Sequence, residues 1–386
     1  MRYPIDVTGR GLAVAALLVG FGAGFWRDLL GVWGYLGLAG LLVVVTAVHL
    51  TRTRLWRNLP VMRLPKTLLL YVLVLLVAIP FTQRPGEDAL VVFAQLAGLV
   101  VGLFLAAGLT WPVLLSALTR AFIFLIAFSL LFELVVAVFV RQPVHPLVPR
   151  EGEPVWTYGA LFREGHIQGL VGSSPALGFI ALLLVITVGV QWAQSLRPTA
   201  SAVIWLVLGA ATIALTRDLP VLTATAVCAL MLGVMVLARR VGPVTRVVLL
   251  VVMGLVKLGV VIALAWSAQS VGAWADVQQH AGIVGVLLLA ALITGLFYRL
   301  WWFAVDRPLD ARGAPGEYVP LTLYPALVST ALVTVSVWND VMIVTGGWML
   351  LIALAVHSKL DNHRVGLDLG VPHPAVSTAQ PVGAAR

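Results

Sequence analysis

Leu38-Ala-Gly-Leu-Leu-Val-Val-Val-Thr-Ala-Val48 is apolar without alternation and runs almost directly into a joint, Thr51–Lys66, that carries Arg52, Arg54, Arg57, Arg63 and Lys66. A strand with one face in lipid would alternate, so the run reads as helix. Ala229–Val236 has the same character. Inside a bilayer only a helix or a closed barrel satisfies its own backbone hydrogen bonds. Apolar residues make up 61% of the chain and charged residues 11%, and the mean hydropathy is +1.02. A soluble domain carries about 25% charged residues. The expected fold class is therefore all-α: a polytopic membrane protein with about twelve transmembrane helices.

The spans read near 11–26, 29–50, 67–82, 89–109, 118–140, 170–191, 200–216, 219–237, 247–267, 283–303, 318–337 and 343–357. Cations gather in alternate joints. Arg2, Arg10 and the 51–66 joint lie on one side with Arg120, Arg197, Arg239, Arg240, Arg246, Arg299, Arg307 and Arg312, then Lys359, Arg364 and Arg386. These are eighteen of the 25 Lys and Arg; six fall on the other side and Lys257 within a span. The cation-rich side is expected to be cytoplasmic, with both termini inside. The net charge of +9 then records topology rather than affinity for nucleic acid, and no basic patch interleaved with aromatic residues is visible. The first apolar run has no small-x-small site before a polar start, so it reads as a retained span rather than a signal peptide. Residues 1–358 read as one integral membrane domain, with extracytoplasmic loops at 141–169 and 268–282. Residues 359–386, rich in Pro, Ala, Gly and Val, read as a disordered cytoplasmic tail. The single Cys228 sits mid-span, which leaves no disulfide framework.

Four features carry candidate chemistry. The loop 141–169 combines Pro143, Pro146, Pro149 and Pro154 with Trp156, Tyr158, Arg163 and His166. That mixture suits an anionic, sugar-bearing ligand, and equally a stiffened connector with interfacial aromatic anchors. Thr216-Arg217-Asp218 joins two spans with almost no loop, so Arg217 is either half of an interfacial ion pair or a guanidinium fork for phosphate. Asp276 and His280 are i,i+4 neighbours on an amphipathic entry helix; they read as a surface pair or as an oriented imidazole for proton transfer. Glu133 and Lys257 are ionisable groups within spans, where charge is expensive, and could pair with each other. No Walker motif, zinc-binding His-Glu-x-x-His helix, Gly-x-Ser-x-Gly nucleophile or paired outer carboxylates occur, so no metal and no cofactor is expected.

At these joints the chain resembles the O-antigen ligase and polymerase superfamily of bacterial envelope proteins. His166-Ile-Gln-Gly-Leu-Val-Gly-Ser-Ser-Pro175-Ala-Leu-Gly178 is similar to the family's Gly-Leu-x-Gly-Asn-Pro-Asn-x-Leu-Gly entry into a span, and Leu215–Pro220 to its Thr-x-Ser-Arg segment. Ala273–Gly285 resembles the stretch ending in Leu-Gly-Ile-Val-Gly, and the last pair of spans, with Asn339-Asp340 and Gly346-Gly347-Trp348, resembles its carboxy end. The likeness covers about residues 150–357.

The resemblance implies transfer of a glycan from a polyprenyl diphosphate carrier, outside the cell and without metal or nucleotide, by a multi-pass protein of the inner (plasma) membrane. It implies Arg163 and Arg217, with Trp156 and Tyr158, as substrate-binding residues. It implies a histidine base, for which His280, Asp276 and His166 are the available catalytic groups; His280 is the first choice, with Asp276 one turn earlier to fix its tautomer and raise its basicity. Departures are specific. Asp218-Leu219 stands where Ser-Arg is usual, Ser174 and Ala176 replace Asn, and Val271-Gly272 stands where His-Asn would supply the base. Two alternatives to an active transferase stay open: a lapsed member serving with polysaccharide-assembly proteins, and a transporter or flippase of a lipid-linked glycan. The expected partners are membrane lipid and the polyprenyl-diphosphate-linked glycan.

Overall fold

A computed structural model describes residues 7–58, 64–81, 85–148, 155–162, 166–267, 272–306, 317–340 and 346–361. These residues are 84% helical and contain no strand; one isolated bridge joins Val144 to Thr157. The helices are α1 (Val7–Phe21), α2 (Ala23–Arg52), α3 (Lys66–Ala78), α4 (Pro85–Gly108), α5 (Trp111–Val135), α6 (Ser174–Ala193), α7 (Thr199–Thr216), α8 (Leu219–Ala238), α9 (Pro243–Ser267), α10 (Ala273–Val305), α11 (Tyr324–Val335) and α12 (Gly346–Asp361). Seven of them, namely α2, α4, α5, α6, α7, α8 and α10, are long and apolar enough to cross a membrane. The chain is an all-α membrane protein.

Local sequence places the helix boundaries. Pro112, Pro175, Pro220 and Pro325 each sit in the first turn of α5, α6, α8 and α11, where a missing N–H costs nothing. Asp218 caps α8 by accepting the Val221 amide at 3.1 Å. One departure from the expected spans is near the amino end. The break falls at Gly22, between α1 and α2, and α2 is then bent at Gly31, whose φ of 73° suits glycine. A second bend, at Gly282 with φ 62°, joins the amphipathic entry segment to the rest of α10 as one element. At the carboxy end α12 continues through Lys359 to Asp361, past the expected boundary at 358, and Lys359 Nζ donates to the Leu64 carbonyl at 2.8 Å. Residues 362–386 of the expected tail lie outside the described residues.

Burial ranks the helices. In α6, 72% of the best apolar window is buried, against 11% in α2. α6 is therefore central, packed by α5, α7, α8 and α11, while α2 is peripheral, against α1 and α4. Small residues set the close approaches. A Cβ on Gly178 would stand 2.9 Å from Thr216 Oγ1, and one on Gly98 would stand 2.6 Å from the Trp348 ring, whose Nε1 donates to the Gln95 carbonyl at 2.8 Å.

One end of the bundle is held by cations. Arg239 donates from Nε to the Ala304 carbonyl at 2.9 Å and from Nη2 to Thr322 Oγ1 at 2.8 Å, with its guanidinium 4.9 Å from the Tyr318 ring centre. Arg246 donates to the Ala238 carbonyl at 3.0 Å and to the Tyr318 hydroxyl at 3.1 Å, and pairs with Asp306 at 3.3 Å. These contacts tie the α8–α9 joint to the end of α10 and the start of α11.

Candidate functional site

The other end of the bundle carries the candidate chemistry, and a buried carboxylate organises it. Glu133, in the last turn of α5, is fully buried. Its Oε1 accepts Thr157 Oγ1 at 2.7 Å and the backbone amides of Gln168 and Gly169 at 2.8 Å each. One oxygen thus holds two of the three described parts of the 141–169 loop to the bundle. Its Oε2 is buried with no hydrogen-bond partner among the described residues. The tight turn at 169 depends on glycine: φ is 61°, and a Cβ would lie 2.6 Å from Ser129 Cβ. The sequence shows Glu133 as an intramembrane ionisable group but not its partners, which lie 24 to 36 residues away along the chain. The pairing with Lys257 weighed from sequence is not what occupies Oε1, and the Lys257 side chain lies outside the described residues.

This clamp delivers His166 to the α7–α8 joint. His166 Nδ1 lies 2.8 Å from the Thr216 carbonyl oxygen, and the Ile167 amide approaches the Leu215 carbonyl at 3.5 Å. A carbonyl only accepts, so Nδ1 carries the proton and Nε2 is left as the basic nitrogen. His166 is exposed, as is the neighbouring Arg217, which ends α7 in the left-handed region at φ 47°. Asp218 spends its carboxylate on the α8 cap rather than on an ion pair with Arg217. Burial pushes the Asp218 carboxyl above its ordinary value, partly countered by the Val221 amide and by His166 nearby. The joint therefore carries an exposed arginine next in sequence to the residue whose carbonyl orients the His166 imidazole.

The remaining predicted residues are distributed differently. Trp156 is 6% exposed, donates Nε1 to the Leu170 carbonyl at 2.9 Å, and has the Phe132 ring at 5.2 Å. Its ring is part of the loop's packing, whereas Tyr158 is 53% exposed. Arg163 lies outside the described residues. His280 and Asp276 are half-buried in the first turns of α10. There His280 Nδ1 meets the backbone carbonyl of Asp276, and a carbonyl only accepts, so this contact puts the proton on Nδ1.

The start of α10 is seated on the turn after α11: the Ala273 amide donates to the Ser336 carbonyl at 3.0 Å, and Trp274 Nε1 to Ser336 Oγ at 3.1 Å. Gly272 is pressed onto that turn at φ 120°, and a Cβ there would lie 2.3 Å from the Val337 carbonyl oxygen. The Asn usual in the resembled pattern therefore has no room at 272 in this conformation.

Two groups were not singled out as binding residues from sequence. Arg27 of α2 and Asp340, just after α11, line one cavity of about 320 Å³ with Tyr35, Ser173 and Asn339. Arg27 belongs to this end of the bundle, since the Leu147 amide donates to the carbonyl of the adjacent Asp28 at 3.0 Å. The available signal for Arg27 was its place among the six cations outside the cation-rich joints. The cavity reaches α6 through Pro175, Ala176, Phe179 and Ile180, while Gly178 faces Thr216 and the Arg217 joint. α6 thus has the cavity on one face and the His166–Arg217 joint on another. Among the described residues no group of three His, Cys, Asp or Glu is arranged to hold a metal ion. No protein-family model, curated protein or solved structure matches this chain.

Proposed function

We propose that this chain is an O-antigen ligase-like protein of the inner membrane that transfers or handles a polyprenyl-diphosphate-linked glycan at its extracytoplasmic face. In this reading the twelve helices are twelve spans, with both termini and the Arg239–Arg246 end in the cytoplasm. The observation that carries the proposal is the His166–Thr216 contact, which sets a basic Nε2 beside the exposed Arg217. A guanidinium fork suits a diphosphate, and an acceptor hydroxyl must lose a proton as it attacks. The atoms balance without a co-reactant. The acceptor oxygen bonds to the anomeric carbon, the bond from that carbon to the diphosphate oxygen breaks, the proton passes to Nε2, and the diphosphate leaves with the electron pair. His166 is the base favoured by this geometry, ahead of His280 and Asp276.

The test is transfer from a polyprenyl diphosphate glycan to an acceptor lipid in vesicles carrying the purified chain. His166→Ala and Arg217→Ala should each abolish or greatly reduce product, and His280→Ala should not. Transfer unchanged in both His166→Ala and Arg217→Ala would overturn the site. Sidedness is checked separately with an impermeant thiol reagent in intact cells, Cys228 being buried. Tyr158→Cys should label and Arg240→Cys should not; the reverse pattern would invert the orientation.

A catalytically lapsed member acting with polysaccharide-assembly proteins is the second reading. It is favoured by Gly272, where the Asn side chain of the resembled pattern has no room, and by Val271, which cannot act as a base. Carrier binding without transfer in the wild type would select it.

A further inference from the structure

We infer that the cavity between α2 and α4 is a site for one membrane phospholipid whose head joins a phosphate to a primary ammonium, as in phosphatidylethanolamine. The cavity has a polar rim and an apolar depth. Arg27 and Asp340 stand at the rim, and Val43 and Val101 line the far part, Val43 being sixteen residues along α2 from Arg27. At about 320 Å³ it is near the lower end of ligand pockets, roughly 300–1,000 Å³, and takes one hydrocarbon chain rather than two.

Access is lateral. α2 is the least buried of the seven long apolar helices, its bend at Gly31 comes just after Arg27, and Phe93 on α4, which lines the cavity, is 61% exposed. The facing surfaces are lined with small residues: Ala39 and Gly40 on α2, Ala94 and Ala97 on α4. A Cβ on Gly40 would meet nothing within 4 Å, so the space belongs to no protein side chain there.

Charge decides the head group. A lipid phosphate pairs with the Arg27 guanidinium, and Asp340 then needs a cation or hydrogen-bond donor. Asp276 adds to the negative field at Asp340, since the two carboxylates repel. A head with a phosphate and a primary ammonium matches both charges. A purely anionic head leaves Asp340 uncompensated, and a quaternary ammonium has no N–H to donate. This site is distinct from the His166–Arg217 joint, which lies on another face of α6, and it does not depend on glycan transfer.

The test is lipid retention by the purified full chain in neutral detergent, followed by native mass spectrometry. Dioleoyl phosphatidylethanolamine is titrated against phosphatidylcholine and phosphatidylglycerol of the same chains, and against a polyprenyl phosphate. The ethanolamine lipid should bind as a single equivalent, with each competitor about tenfold weaker, the effect of one lost charge-assisted contact. Arg27→Gln and Asp340→Asn should each lower its affinity by about tenfold. Gly40→Phe and Ala97→Phe should abolish retention by filling the cavity from either wall. Gly37→Phe, on the same helix but outside the lining, should bind like wild type and report on folding. Wild-type retention in both filling variants, or in Arg27→Gln, would overturn the site. Tighter binding of phosphatidylglycerol or of the polyprenyl phosphate would overturn the head-group assignment.

Discussion

The two ends of this bundle solve the same problem with opposite charges. At the loop end Glu133 collects donors, a hydroxyl and two backbone amides, on one carboxylate oxygen. At the other end Arg239 and Arg246 collect acceptors, including the carbonyls of Ala304 and Ala238. Helix ends leave unpaired amides or carbonyls, and a multi-pass fold must satisfy those it buries. The contrast separates cations by use. Arg239 and Arg246 at the α8–α9 joint are engaged by backbone and Tyr318, so they serve as clasps. Arg217 and Arg27 at the loop end are exposed. Positive charge counted along the sequence therefore carries two meanings, and the contacts distinguish them.

Removing the carboxylate is the strongest way to break the comparison. Glu133→Ala orphans three donors and should cost about 3–5 kcal/mol, lowering the detergent melting temperature and opening residues 141–169 to protease. Glu133→Gln keeps an acceptor at Oε1 and should lose less. Equal melting of Glu133→Ala and wild type would show that the loop is held by packing alone.

At the opposite end Arg239→Ala should cost about 2–3 kcal/mol through lost charge-assisted bonds and the Tyr318 contact. Its polyprenyl diphosphate binding, measured in parallel, should stay at the wild-type level. A loss of binding without a loss of stability would place ligand, rather than architecture, at that end.

Arg217→Ala is the converse: stability unchanged within about 0.5 kcal/mol, but carrier binding weaker by about 2 kcal/mol, roughly thirtyfold. Titration with a labelled polyprenyl diphosphate checks it, and unaltered affinity would remove Arg217 from the site.

The smallest effect sharpens the joint itself. Asp218→Ala should cost about 1 kcal/mol by loss of the α8 cap, while Asn, also a good cap, should cost little. Because burial raises the Asp218 carboxyl in the folded state, its protonated form is favoured there. Its contribution to stability is then fullest below the ordinary carboxylate range and is lost as pH rises through the raised folded value. Melting temperatures across that interval should show a fall in the wild type that flattens in Asp218→Asn.

The chain's class, the positions of most helices and the short α7–α8 joint were legible in the residues themselves. Hydropathy is summed over neighbours, and Pro220, Pro175 and Asp218 act on turns they belong to, so these signals are local. Of the candidate site, the sequence showed His166 and Arg217 by residue type, but not that Trp156 packs against Phe132. The break at Gly22 was less visible, because one glycine in an apolar run does not say whether the chain bends or continues.

What only the tertiary structure decided is who meets whom. Glu133 finds its donors in another segment, His166 its orienting carbonyl fifty residues on, and Arg27 shares a cavity with Asp340 from the far end of the chain. His280 shows the same limit at short range, since i,i+4 spacing does not say that its Nδ1 meets the Asp276 backbone carbonyl. Sequence spacing determines which residues share a helix turn, through a repeat of about 3.6 residues. Contacts between helices depend on how close small residues such as Gly178 and Gly98 let the backbones come, and that is a property of the packed bundle.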